Sequence, residues 1–280
     1  MSKSGTDQVA TSNRQYAVAL ARAFAGATIF SLPLLMTMEM WWLGFTLHPA
    51  RLLTFSLANF MLLYGLSHVA GFEASHNWID DVLDAFAAYA VAAITAGLIL
   101  VLLGIIEPHM PAREIAGKIA IQAVPASFGA MIGAKLLGEG EAIERQEKHW
   151  RESYGGRLFL ALAGAMFLSF TVAPTEEMRL IAYQMTPWHA LVLVLLSILA
   201  LHAIVYLVGF PGQEDRSGGS HRLDLLRQTL PAYGIAVLAC LYVLWCLGSI
   251  DGASPAFAAT SVAVLGFPAA IGAGIARVVI

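Results

Sequence analysis

Phe24–Met40 reads FAGATIFSLPLLMTMEM, and 138 residues further on Leu162–Met178 reads LAGAMFLSFTVAPTEEM. Seven of these 17 positions are identical: Ala25/Ala163, Gly26/Gly164, Ala27/Ala165, Ser31/Ser169, Thr37/Thr175, Glu39/Glu177 and Met40/Met178. Apolar segments often match by chance, whereas matched Gly, Ser, Thr and Glu in one ungapped register rarely do. The register continues to Gly71-Phe72 over Gly209-Phe210. At a shift of 144 it pairs Asp80/Asp224, Ala88-Tyr89 with Ala232-Tyr233, and Leu103-Gly104 with Leu247-Gly248. At a shift of 143 it pairs Pro125-Ala126 with Pro268-Ala269 and Gly129-Ala130 with Gly272-Ala273. We read the chain as a duplicated unit.

What the unit is follows from composition. Of 280 residues, 58% are hydrophobic and 12% charged, about half the charge that a soluble domain uses to keep its surface wet. That charge clusters at 1–22, 73–84, 107–118, 139–157 and 211–227. Between the clusters lie eight apolar stretches, 18–40, 50–71, 85–106, 114–137, 157–178, 188–210, 230–249 and 256–277. Each is long enough to cross a bilayer, which takes roughly 20 residues at about 1.5 Å per residue. The first is too long for the apolar core of a signal peptide, and its internal copy argues for a structural role. The expected fold is an all-α polytopic membrane bundle of eight transmembrane helices in two parallel four-helix repeats. A cytoplasmic tail fills 1–17, the first repeat 18–137, a solvated linker helix 138–156 and the second repeat 157–280.

Four crossings per repeat give both repeats the same orientation, as in parallel-repeat transporters. With eight crossings, twelve of the 16 Lys and Arg residues fall on the side of the termini. Only Arg51, Arg113, Lys118 and Arg179 fall on the other. The excess of basic loop residues predicts cytoplasmic termini. The stretch Pro211–Ser220 reads as a flexible loop. Cys240 and Cys246 share one apolar segment at a spacing suited to neither a disulfide nor a metal clip, so they read as packing thiols.

The candidates for chemistry are few. Glu39 and Glu177 each close an apolar span, and ionisable groups at such places are functional suspects. Glu39 lies 17 residues past Arg22, about 25 Å along a helix, and Trp41-Trp42 follow as an interfacial pair, so it is expected near the outer face. Two such carboxylates could draw and ligate a cation at the mouth of a pathway; two interfacial carboxylates reaching water explain them equally well. Glu176 is a third candidate ligand, although pairing with Arg179 one turn on is the simpler reading. Thr37, Thr175, Ser31 and Ser169 would line the same path.

Tyr64 and His68 stand four residues apart, and their repeat counterparts are His202 and Tyr206 in swapped order. A proton relay is one reading, and a His–Tyr hydrogen bond between buried polar groups is the more economical one. Asp80, Asp81 and Asp84 lead into the third span as helix N-terminal carboxylates matched to the dipole. Gly129-x-x-x-Gly133 and Gly272-x-x-x-Ala276 are small-residue faces for close helix contact. No nucleotide-binding loop, nucleophile elbow, zinc motif or nucleic-acid surface is present.

At Met38–Trp42 (MEMWW) and Ala173–Met178 (APTEEM) the chain resembles an uncharacterised family of bacterial integral membrane proteins, and the likeness runs through most of its length. That resemblance implies a bacterial inner membrane and, from the gene arrangement of some members, a small membrane protein as partner. It implies no activity and no catalytic residues. The expected function is cation transport, by a channel or a cation-coupled transporter, with Glu39 and Glu177 as tentative ligands of a bound cation. The alternative is a non-transporting scaffold or regulatory subunit, acting as a homodimer or with a small partner. An enzyme using Glu176 and Glu177 as acid and base ranks last, because neighbouring side chains on a helix point about 100° apart. No resident cofactor is expected.

Overall fold

The computed structural model describes residues 3–70, 78–136, 153–207 and 225–279. The linker at 138–152, the loop at 211–220 and the side chain of His68 lie outside the described residues. The chain divides into two compact units, Met1–Lys148 and His149–Ile280, and every described element is helical. Unit 1 contains α1 (Lys3–Leu35), α2 (Met38–Thr46), α3 (Pro49–Ala70), α4 (Trp78–Leu102) and α5 (Ala112–Leu136). Unit 2 contains α6 (Tyr154–Val172), α7 (Glu176–Gln184), α8 (Pro187–Leu207), a π-helical turn (Leu225–Thr229), α9 (Leu230–Cys246) and α10 (Pro255–Val279). Eight of these helices are long and apolar enough to cross a membrane, four in each unit.

The first crossing of each unit is shorter than the expected spans, which ran to residues 40 and 178. α1 stops at Leu35, Thr37 takes an extended backbone, and α2 starts at Met38. In unit 2, α6 stops at Val172, the proline at 174 offers no N–H, and α7 starts at Glu176 behind an extended Thr175. A helix end inside an apolar layer must find donors for its last carbonyls. At the end of α1, Met36 N–H reaches Leu32 O at 3.2 Å and Thr37 Oγ1 reaches Pro33 O at 2.7 Å. Gln122 Nε2 reaches Leu34 O at 3.2 Å and Trp41 Nε1 reaches Leu35 O at 2.7 Å. All four terminal carbonyls are satisfied, three of them by side chains, and Leu34 O also accepts from Thr37 N–H at 3.0 Å.

In unit 1, α5 packs against α1, α2, α3 and α4 and is the central helix. α1 and α2 run antiparallel along it. Gly26 of α1 meets Gly129 and Gly133, Leu34 meets Gln122, and Gly44 of α2 meets Gly117 and Lys118. A Cβ on Gly26 would stand 2.6 Å from the Gly133 Cα, so only glycine permits that approach. In unit 2, α10 takes the central place against α6, α7, α8 and α9. Gly164 meets Gly272 and Ala276 there, and the Tyr183 ring of α7 lies 4.2 Å from that of Phe257.

The turn after the third crossing is the same in both units. Gly104 has φ +71° and Gly248 φ +72°, a left-handed conformation costly to a residue with a Cβ. Ile105 N–H bonds Leu100 O at 2.9 Å and Gly104 N–H bonds Val101 O at 3.0 Å. Ser249 N–H to Leu244 O at 2.9 Å and Gly248 N–H to Trp245 O at 3.1 Å repeat that pattern, the Schellman closure of a helix end. The acidic lead-in to the third span is helical from Trp78, with Asp80 exposed in its first turn and Asp81 buried. Cys240 and Cys246 are free and buried, in keeping with their reading as packing thiols.

Candidate functional site

Polar groups are rare inside these spans, so the places where they gather carry the information. In unit 1 they gather on α5. Glu114, Lys118 and Gln122 follow one another at four-residue spacing, which lines them up on one face of a helix. The Lys118 side chain is only 6% exposed. Its Nζ lies 2.7 Å from Glu114 Oε1, 3.3 Å from Ile105 O and 3.6 Å from Met110 Sδ. The ammonium also stands 5.7 Å from the centre of the Phe45 ring of α2, within cation–π range. It is thus tied to α2, to α5 and to the turn between α4 and α5.

One turn deeper, Gln122 is fully buried and spends its amide N–H on Leu34 O, at the break between α1 and α2. Its Oε1 is buried and accepts no hydrogen bond. Asn59 of α3, also fully buried, donates to Ser127 Oγ at 2.9 Å, and Ser127 in turn donates to Val124 O at 2.7 Å. Asn59 Oδ1 likewise has no donor. Among the described residues, unit 1 therefore holds two buried amide oxygens, Gln122 Oε1 and Asn59 Oδ1, with no hydrogen-bond partner, an arrangement that native proteins keep for a reason. Such oxygens are hard, neutral ligands suited to a cation.

The glutamates singled out in the sequence sit differently from what their position at the end of a span suggested. Glu39 is half-buried in the first turn of α2, and Glu176 and Glu177 are exposed in the first turn of α7. Carboxylates there favour the positive end of the helix dipole. Glu176 and Arg179 are both exposed, and no ion pair joins them among the described residues, contrary to the expected pairing. Among the described residues, no three His, Cys, Asp or Glu side chains gather as metal ligands.

The four hydroxyl candidates all have partners, three of them within their own helix or its end. Thr37 caps the α1 break as described, and Thr175 Oγ1 donates to Val172 O at 2.9 Å while accepting from Met178 N–H at 3.4 Å. Ser31 donates to Ala27 O at 2.6 Å, and Ser169 lies 3.6 Å from Cys240 Sγ. Tyr64 is half-buried on α3. His202 meets Tyr206 through their rings, 4.5 Å apart and tilted by 42°. Its Nδ1 bonds Thr229 Oγ1 at 2.9 Å, so the partner of the imidazole nitrogen is a threonine rather than the expected tyrosine.

Glu114, Lys118, Gln122 and Asn59 were not among the sequence candidates. Their signal was present as the 114–118–122 spacing, but it has no copy in unit 2. The same register puts Phe257, Ser261 and Leu265 at those places and Ser197 opposite Asn59. A reading guided by the repeat passes over what is not repeated.

Eight crossings, apolar outward faces and charge confined to helix ends and one buried seam define a polytopic α-helical membrane protein. The chain belongs to the family described as "Putative integral membrane protein (DUF2391)", whose model matches residues 19–280. No curated protein and no solved structure matches the chain.

Proposed function

We propose that the protein transports a cation, as a channel or a cation-coupled carrier, along the broken first crossing of unit 1. The observation that supports this is the seam itself: a discontinuous helix faced by Lys118 and by Gln122, whose amide oxygen has no donor among the described residues. Broken helices facing buried polar groups are how membrane proteins build ion sites, since irregular backbone is tolerated where it is enclosed by protein. Gln122 stands ten residues into the Ala112–Gly133 span, about 15 Å along it, which is mid-membrane depth. Glu39, Glu176 and Glu177 belong to this reading as carboxylates that concentrate cations at the outer ends of the units. We further place the chain in a bacterial inner membrane, with cytoplasmic termini and a duplicated architecture, on the loop charges and the sequence repeat.

Flux of sodium, potassium and protons into proteoliposomes tests the reading. The wild-type chain is expected to carry at least one of them. Gln122→Leu is expected to lower that flux by about tenfold or more, the weight of one buried hydrogen-bonding group. The double variant Glu39→Gln/Glu177→Gln is expected to lower it less and only at low salt, where surface charge is unscreened. Absence of flux for all three ions overturns the proposal, and unchanged flux in the double variant removes the glutamates from it.

The scaffold reading keeps one observation in its favour. α8 leaves Leu191, Val192, Leu195 and Leu199 uncovered, a face that a second membrane helix would fit. A stoichiometric partner co-purifying with a chain that carries no ions would support it.

A further inference from the structure

Four elements of unit 2 converge at the end opposite to Glu176 and Glu177: the start of α6, the end of α8, the π-helical turn and the end of α10. Arg277, in the last turn of α10, is 2% exposed. Its one hydrogen bond among the described residues is from Nη2 to Gln228 Oε1, at 3.2 Å, and its Nε is buried without a partner. The guanidinium of Arg157, from the first turn of α6, is close enough to act on it as a like charge, and Tyr206 acts on it from α8. The Nε of Arg157 is also buried and, among the described residues, without a partner. Two like charges close enough to act on each other, one on the buried Arg277 and one on the half-buried Arg157, are unfavourable unless an anion offsets them. The acidic side chains described in unit 2 are Glu176, Glu177 and Asp251, all at the other end.

Helix packing does not call for these arginines. In the register of the repeat Arg157 stands over Ala19, Arg277 over Ala134 and Gln228 over Asp84. Yet α1 and α5 make the same kind of close glycine contact as α6 and α10. The basic pair is peculiar to unit 2 in this register, and planar forks of N–H donors match the oxygens of a phosphate group.

We infer that Arg157 and Arg277, with Gln228 beside them, form a site for a phosphate group at this end of unit 2. The phosphate comes from an anionic phospholipid headgroup or from free phosphate, and the inference does not depend on the transport reading. The experiment is thermal unfolding of the full chain in a neutral detergent, with two probes. One is sodium phosphate against sodium chloride at matched ionic strength. The other is short-chain phosphatidylglycerol against short-chain phosphatidylcholine. A raised midpoint is expected with at least one probe. A response to phosphate alone assigns a free ion, and one confined to phosphatidylglycerol assigns a lipid. Arg157→Gln is expected to weaken the apparent affinity about tenfold or more, the loss of a charge-assisted hydrogen bond. Arg157→Lys, which keeps the charge and loses the fork, is the second variant if Arg157→Gln fails to fold, and it is expected to fall between the two. Arg179→Gln, at the other end, is expected to change nothing. The inference is overturned if neither probe raises the midpoint, or if the rise survives undiminished in the Arg157 variants. A carboxylate of the chain as the true partner is the remaining outcome against it: Asp215→Asn or Asp224→Asn would then destabilise the chain while phosphate had no effect.

Discussion

Glu114→Gln is expected to destabilise unit 1 by about 3–5 kcal/mol, the range for breaking a buried ion pair by removing one partner. The cost arises at Lys118 rather than at Glu114. The lysine side chain is 6% exposed and the glutamate 26%, so the carboxylate can be replaced without loss of hydration while the ammonium cannot. With Glu114 neutral, the ammonium keeps Ile105 O, the Met110 thioether and the Phe45 ring, none of which carries a compensating charge. Lys118→Met, whose side chain is apolar and of similar length, is expected to cost less, because the remaining carboxylate is the better-hydrated partner. The double variant Glu114→Gln/Lys118→Met should recover most of the loss, since neutral replacement of a whole buried pair is often harmless. Thermal midpoints of the four proteins in one detergent complete the cycle. If the double variant is as unstable as Glu114→Gln alone, the pair does not act as a buried ion pair.

Gly164→Val is expected to prevent unit 2 from folding. A Cβ at that position would run into Gly272 O and stand 2.6 Å from Ala276 Cβ. Inserting bulk into a packed interior costs about 1–3 kcal/mol when side chains can yield. Here the obstacle is the backbone of α10, which cannot yield without moving the central helix. Loss of a monodisperse peak on size-exclusion chromatography in detergent checks this, with Gly26→Val the matching test in unit 1. Controls lie within the same chain. A Cβ on Gly234 meets nothing within 4 Å, and one on Gly97 meets the Ile119 side chain at 3.5 Å, an ordinary contact. Gly234→Ala and Gly97→Ala are expected to be neutral or to raise the thermal midpoint, by up to about 1 kcal/mol of helix propensity. Equal damage from all four substitutions would argue against a specific close approach.

The spans were legible because a bilayer imposes a length and an apolarity that few residues can disguise. The glycine faces were legible for a similar reason, since Gly129-x-x-x-Gly133 has one common use in lipid. The break at Met36–Thr37 was not. Pro33 lies in the last turn of α1, and the helix ends two residues later, where Gln122, 88 residues away in sequence, and Trp41 supply side-chain donors to its carbonyls. Long-range donors of that kind leave no local pattern. Glu39 and Glu177 lie in the first turns of α2 and α7, and that position depends on the same kind of break. The seam on α5 was written plainly as Glu114, Lys118 and Gln122, and it was overlooked because duplication drew the reading to residues with copies.

The seam has a bearing on how the chain is made. α8 carries no charge between Pro187 and Leu207 and is apolar almost all round, so it can leave the translocon for lipid as soon as it is synthesised. α5 brings Glu114, Lys118 and Gln122 into the bilayer, and beyond the Glu114–Lys118 pair their described partners lie on α1, on α2 and in the turn after α4. Its residence in lipid before those contacts form is disfavoured by each charged or amide group it carries. Biogenesis of unit 1 therefore depends on α1 and α4 waiting beside the translocon until α5 emerges, and nascent chains ending before Leu136 should remain exposed to membrane quality control.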